Sequence, residues 1–336
     1  MHQEIFMQYA NQTNMKRLTY LLCGVASLAA IAAFSPEPGP RIEFDALESY
    51  PEGVAYNKVD GNYYVSSARL GNIGKVSPQG TYTILLQDST LKSTYGMKIH
   101  PDGKKLFACV SDANYSKYTN PATRTKMARL ISLELSTGKK ISDINLSELL
   151  PGKHFANDMT FDQQQNIYIT DSFADAIYKV TPDGKASVFA KDELFKTEGV
   201  GLNGIVFHPD GFLIVDNTAK GELYKIDIKN PKNIAKVAVN QFFLGADGLL
   251  LNDKNLLTVV VNGGNDKIYQ LATSDNWKTA NVKASTLSTD RFTYPSTATQ
   301  NGNEIWVMNA QFNQLLDSNQ VPVKKFAIQK VNYKPL

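Results

Sequence analysis

The sequence predicts an all-β fold, a six-bladed β-propeller with four antiparallel strands per blade. Three observations carry that prediction. First, six segments open with one grammar, in which a small or polar pair leads a short apolar run. They are Glu52-Gly53-Val54, Tyr95-Gly96-Met97, Asn157-Asp158-Met159, Asn203-Gly204-Ile205, Asp247-Gly248-Leu249 and Pro295-Ser296-Thr297, and their second residues are spaced 43, 62, 46, 44 and 48 apart. Second, Asp60-Gly61, Pro101-Asp102-Gly103, Pro209-Asp210-Gly211 and Asn301-Gly302 supply tight turns between the opening and a second apolar run in four of the six units. Third, a further strand recurs as Ile177-Tyr178-Lys179-Val180, Leu223-Tyr224-Lys225-Ile226 and Ile268-Tyr269-Gln270-Leu271, at intervals of 46 and 45.

Four short strands in a unit of about 45–50 residues describe a propeller blade. A pair of β-sandwiches would have no reason to repeat one opening six times. The second strands read Tyr63 to Ser67, Leu106 to Asp112, Ile167 to Asp171, Phe212 to Asp216, Leu256 to Val261 and Ile305 to Asn309. Pro78-Gln79-Gly80 and Pro182-Asp183-Gly184 turn the chain into fourth strands. The one long interval holds an insertion near residues 113–129, polar and aromatic, to be read as a lid or as a plain surface excursion. Residues 41–47 are a strand left over, expected to complete the last blade, cover its edge and close the ring.

The N-terminus reads as a targeting segment. Met15-Lys16-Arg17 precedes the apolar run Leu18 to Ala33, and Ala30-Ile31-Ala32 supplies a small-residue cleavage site. The run is short for a membrane span. Residues 1–32 are therefore expected to be a signal peptide, with Met15 an alternative start, and residues 41–336 to form a single propeller domain. Export to the periplasm or medium follows, with no membrane attachment after cleavage. Of the two cysteines, Cys23 would leave with the signal and Cys109 sits in an apolar run, so the mature chain would carry no disulfide.

The composition is that of a globular protein: 336 residues, 43% hydrophobic and 20% charged. The balance of 35 Lys and Arg against 32 Asp and Glu gives a net charge of +3, which argues against nucleic acid as a partner. Nothing in the sequence calls for more than a monomer. The four histidines are scattered, and no Cys/His zinc spacing occurs.

In a propeller the innermost strand of each blade lines the central channel, so the residue at its start faces one mouth. Those residues are Glu52, Tyr95, Asn157, Asn203, Asp247 and Pro295. Four of the six bear oxygen ligands, two as carboxylates, which repel on an axis unless a cation lies between them. Oxygen-only donors suit Ca²⁺ first and Mg²⁺ or Mn²⁺ next. Each dipeptide alone is an ordinary turn signal; their shared place in the repeat is what marks a site. His154 and Phe155, just ahead of Asn157, and Tyr95 are candidates for the substrate pocket. His100 and His208, each in a His-Pro-Asp-Gly turn expected on the far face, read as structural.

Pro51-Glu52-Gly53, Asn157-Asp158, Asn203-Gly204 and Asp247-Gly248 resemble the metal-binding positions of the senescence-marker-protein/gluconolactonase (regucalcin) family, over about residues 48–331. The resemblance implies a divalent cation held by Glu52, Asn157, Asn203 and Asp247, and hydrolysis of a small-molecule lactone or related ester with Asp247 as the catalytic residue. Sugar-lactone members often carry an arginine two residues before the first asparagine. Here that place is Phe155, which points to a less polar substrate. The competing reading is a non-catalytic propeller that binds a ligand or a protein and uses its cation as a structural pin. A third, resembling the strictosidine-synthase-like propellers, fits least because those depend on a glutamate rather than on the quartet.

Overall fold

The computed structural model describes residues 40–315, 317, 319 and 321–336; the signal-peptide reading lies outside them. Six sheets follow one another along the chain, antiparallel except where the short strand Ala238–Val239 joins blade 5 in parallel, and the fold is the six-bladed propeller. Blade 1 runs through Val54–Asn57, Asn62–Val65, Ile73–Val76 and Tyr82–Leu86, hydrogen-bonded in that order. The innermost strands of blades 2 to 6 are Ser93–Ile99, Ala156–Phe161, Leu202–His208, Ala246–Leu251 and Pro295–Asn301. All six sit where the repeated openings place them. Among the described residues no helix is long and apolar enough to cross a membrane.

The leftover strand closes the ring. Arg41–Asp45 pairs antiparallel with Lys325–Lys330 of blade 6, from Arg41 opposite Gln329 to Asp45 opposite Lys325. Its alternation buries Ile42 and Phe44 and leaves Arg41, Glu43 and Asp45 outside. Phe44 stacks on Tyr82 of blade 1 at 5.9 Å between centroids and meets Phe326 of blade 6 at 6.3 Å. One strand thus ties the last blade to the first through an apolar contact as well as a ladder.

Blade 5 departs from four strands: Ala238–Val239 and Lys334–Pro335 both add to its outer strand Thr279–Ser285. Between blades, apolar side chains of both faces fill the space. Tyr63, Tyr64, Tyr168, Tyr178, Tyr224 and Trp306 are all buried. Cys109 is buried among them, its thiol pushed up by burial, in keeping with a packing role.

The insertion of blade 2 emerges at Ser111, which pairs with Ser93 at the start of the innermost strand. Antiparallel pairing therefore sets residues 112–127 on the same mouth as the predicted ligands. A second long connection, 310–324, was not singled out from the sequence; it carries the helix Phe312–Leu315.

Candidate functional site

The dipeptides that looked like turns are β-bulges. In blade 3, Ala156 pairs with Asp171 and Met159 with Ile169, so Asn157 and Asp158 together oppose one residue. The same register shift brackets Asn203-Gly204, Asp247-Gly248, Tyr95-Gly96 and Ser296-Thr297. A bulge re-aims a side chain that a regular pleat would turn away. The glycines answer a steric demand between blades. A Cβ at Gly53 would overlap the Tyr95 carbonyl oxygen, and one at Gly204 would overlap the Asp247 carbonyl oxygen. At these two positions the neighbouring innermost strands approach too closely for a side chain.

Three of the four predicted ligands are fixed by one device. Asn157 donates from Nδ2 to Ser172 Oγ at 2.9 Å, and Asn203 donates from Nδ2 to Thr218 Oγ1 at 3.1 Å. Asp247 accepts at Oδ2 from Asn262 Nδ2 at 2.5 Å. Each clamp lies 15 residues after its ligand. Each also donates to a backbone carbonyl of the next blade: Ser172 to Leu202, Thr218 to Ala246 and Asn262 to Pro295. The clamps were not found in the sequence, although the constant offset of 15 was there to be seen. Glu52 is placed differently: the amides of Glu52 and Gly53 donate to Ser66 Oγ, and Ser296 Oγ donates to the Glu52 carbonyl at 2.6 Å.

With one side-chain atom of Asn203 and of Asp247 held, the other is left over, and so is one oxygen of Glu52. Glu52 Oε2, Asn203 Oδ1 and Asp247 Oδ1 are buried without a hydrogen-bond partner, and the Asp247 carboxylate lies beside the side chains of Asn203 and Glu52. Asn157 holds the equivalent register position in blade 3. Orphaned buried oxygens are rare in folded proteins, and converging ones fit a hard cation. Among the described residues no three His, Cys, Asp or Glu side chains cluster as a metal site; here half of the donors are carboxamides.

The electrostatics agree. Burial, then Asp247 and Asp158, hold the Glu52 carboxyl well above its usual range, against a smaller pull from Lys98. Burial and Asp158 push Asp247 up to about 7, against the hydrogen bond from Asn262. The Asp247 residue keeps some exposed surface, but its Oδ1 is sealed. Both shifts mark carboxyls brought together without a counter-charge.

Two further carboxyls in the channel escaped the sequence reading. Asp158, the second residue of its bulge, stands where the other four bulges carry glycine or, in blade 6, Thr297, and its Oδ1 crowds Gly96. Lys98 approaches it to 3.9 Å. Asp216 accepts the Gly204 amide at Oδ1 and leaves Oδ2 unpartnered. Burial, Asp247 and Asp158 hold Asp216 well above its usual range.

The pocket candidates divide. Tyr95 and Phe155 meet edge to face at 4.6 Å, both buried. His154 does not border the pocket with a free nitrogen. Its Nδ1 faces Asp171 Oδ2 at 2.8 Å and its Nε2 faces the Leu150 carbonyl at 2.9 Å. Burial lowers its pKa, but Asp171 and Leu150 outweigh that and raise it. The ring is a peg behind the Phe155 loop, held through both of its nitrogens. His208 stacks on Phe212 at 4.2 Å and bonds Asn255, and His100 packs on Phe161, as structural histidines do.

No known protein family and no curated protein matches this chain in sequence. Its fold is widely shared among solved structures. The major allergen Mala s 1 of Malassezia sympodialis is 18% identical over 87% of this chain and 96% of its own, with a TM-score of 0.68. Virginiamycin B lyase from Staphylococcus aureus is 15% identical over 87% and 99%, with a TM-score of 0.58. A luciferin-regenerating enzyme is 13% identical over 88% and 97%, with a TM-score of 0.60. At such identities the likeness is one of fold alone.

Proposed function

We propose that this chain is an exported, divalent-cation-dependent hydrolase that opens a lactone or a related ester, as gluconolactonases do. The observation that carries the reading is the set of buried, unpartnered oxygens of Glu52, Asn203 and Asp247 at the mouth of the channel, with Asn203 and Asp247 each oriented by a hydrogen bond to its other side-chain atom. Glu52, Asn157, Asn203 and Asp247 would hold the cation, Ca²⁺ first and Mg²⁺ or Mn²⁺ next. Such a cation, when bound, supplies Lewis-acid polarisation of an ester carbonyl.

The chain's own residues do the rest. Asn262 fixes Asp247 Oδ2 and so orients the carboxylate, which would take a proton from water beside the cation. The water oxygen bonds to the acyl carbon, the acyl–oxygen bond breaks, and the proton passes to the leaving oxygen to give a hydroxy acid. Buried walls around the quartet limit competing water.

Hydrolysis of a lactone and ester panel, after chelation and again after adding Ca²⁺, tests the proposal. Activity lost in chelator, restored by Ca²⁺ and reduced at least about 100-fold in Asp247→Ala is the expected result. Turnover unchanged by chelator, or full activity in the variant, overturns it. A cation-dependent rise in Tm without turnover of any member would favour the binding propeller pinned by its cation.

A further inference from the structure

The mouth above the quartet is walled by aromatic rings that no part of the cation site requires. Tyr95 and Phe155 begin the wall, and Phe173 continues it at 5.3 Å from Phe155. On the other side Tyr115, from the blade 2 insertion, meets Phe312 of the blade 6 helix at 5.5 Å. Phe312 in turn stacks on Tyr294 at 5.8 Å. Two connections from separate blades therefore touch through their rings. All six rings belong to, or pack on, one apolar cluster.

The rings stand beside the strands of the quartet: Phe155 lies two residues before Asn157, the Tyr95 carbonyl faces Gly53, and Tyr294 precedes Pro295, whose carbonyl accepts from Asn262, the clamp of Asp247. The rings are deliberately held. Tyr294 adopts a φ of 50°, a rare conformation for an aromatic residue. Its amide donates to Asp266 Oδ2 at 2.9 Å, and the preceding Thr293 amide donates to Asn309 Oδ1 at 2.7 Å. Tyr115 is set by its neighbours: Ser116 Oγ donates to the Lys92 carbonyl at 2.7 Å and the Lys117 amide to the Arg69 carbonyl. Asp112, fully buried, accepts the hydroxyls of Thr119 and Thr123 and so gathers the insertion on itself. Beside Phe173 a cavity of about 460 Å³ opens on the same mouth, rimmed by Thr125, Lys153 and Glu198.

A polyhydroxylated sugar lactone needs hydrogen-bond partners for each hydroxyl, and a wall of rings supplies almost none. Flat apolar groups gain both buried area and ring-on-ring contact there. We infer that the substrate of this site is an aryl-bearing lactone or ester, its ring seated among Tyr115, Tyr294, Phe312, Phe155 and Phe173. The inference rests on the hydrolase reading and adds to it the chemical class of the substrate. The insertion is then a specificity element rather than a surface excursion, because it contributes Tyr115.

The test compares dihydrocoumarin and phenyl acetate with glucono-δ-lactone on the Ca²⁺-loaded protein, in wild type, Tyr115→Ala, Tyr115→Phe and Phe312→Ala. The ratio of kcat/KM for dihydrocoumarin to that for the sugar lactone is expected to exceed about tenfold. It should fall about tenfold in Tyr115→Ala, mainly through KM, and be restored in Tyr115→Phe. A preference for the sugar lactone, or a ratio indifferent to both alanine variants, overturns the inference and leaves the hydrolase intact. If nothing is turned over, the hydrolase reading fails, and saturation-transfer NMR with dihydrocoumarin decides the aryl site alone. Transfer lost in Tyr115→Ala supports that site, and no transfer in wild type removes it. Unfolding curves of each variant separate a lost ring from a lost fold.

Discussion

Asn262 donates to Asp247 Oδ2 at 2.5 Å while Asp247 Oδ1 stays buried without a partner. This asymmetry turns a symmetric carboxylate into one anchored atom and one available atom. The anchor is shared, since Asn262 also bonds the Pro295 carbonyl of blade 6. The side chain that orients the site thus also joins two blades.

Replacing Asn262 with alanine is expected to weaken Ca²⁺ binding about 10- to 100-fold, as losses of supporting shells do. It also strips partners from a buried carboxylate and a carbonyl, for a destabilisation of about 1–3 kcal/mol. Calorimetric titration reads the first and denaturant unfolding the second. Ser172→Ala and Thr218→Val, at the same offset, should act in the same direction. Unaltered cation affinity in all three would show that the clamps serve the blades alone.

Gly204→Ala places a Cβ against the Asp247 carbonyl oxygen and the Leu249 amide, both backbone. Neither gives way as a side-chain tip would, so a loss of about 1–3 kcal/mol is expected, with the bulge displaced. Gly263→Ala, with open space around its Cβ, is the control for position; its φ of 73° makes a strain cost of its own, so it should lose stability without affecting cation binding.

Closure of the ring is testable at Phe44. Its ring joins Tyr82 of blade 1 to Phe326 of blade 6, so Phe44→Ala should cost about 3–5 kcal/mol in denaturant unfolding. Glu43→Ala, on the exposed side of the same strand, should change little. Equal effects from the two would mean that the strand contributes its ladder and not its apolar contact.

The fold was legible because the propeller repeats its turns and its apolar runs, and Asp60-Gly61 and each Pro-Asp-Gly mark strand ends. Ligand positions were legible for the same reason. What they look like locally was not: Asn203-Gly204 and Asp247-Gly248 have the composition of turns, yet they form bulges, because the glycine meets a neighbouring blade that no local signal announces. Asp158 stood in a quoted opening without being read as a channel carboxyl, Asp216 was hidden among strand residues, and only the channel brings them together. His154 was misleading through proximity in sequence, since three residues before Asn157 the chain still runs behind the wall, where Asp171 holds the ring. Tyr115 and Phe312 lie nearly 200 residues apart and meet only across the mouth.

The carboxyls of the channel predict an unusual pH dependence. Glu52, Asp216 and Asp247 all have raised pKa values in the folded chain, Asp247 about 7. For an acid so shifted, the folded state holds a proton that the unfolded state releases more readily. The associated stability is full below the unfolded value near 4 and is lost as pH rises through the folded value. Cation-free protein should therefore lose Tm between about pH 4 and pH 7, where ordinary salt-bridged carboxylates such as Asp143 have already made their gain. A bound cation needs the ionised forms, so the rise in Tm on adding Ca²⁺ should be larger at pH 8 than at pH 5. Asp216→Asn keeps the shape and removes one ionisation, so it should flatten the cation-free slope. Scanning calorimetry across this range, with chelator and with millimolar Ca²⁺, reads all three. A cation-free Tm that climbs from pH 5 to pH 8 would mean that these carboxyls ionise without penalty and that nothing in the channel calls for a counter-charge.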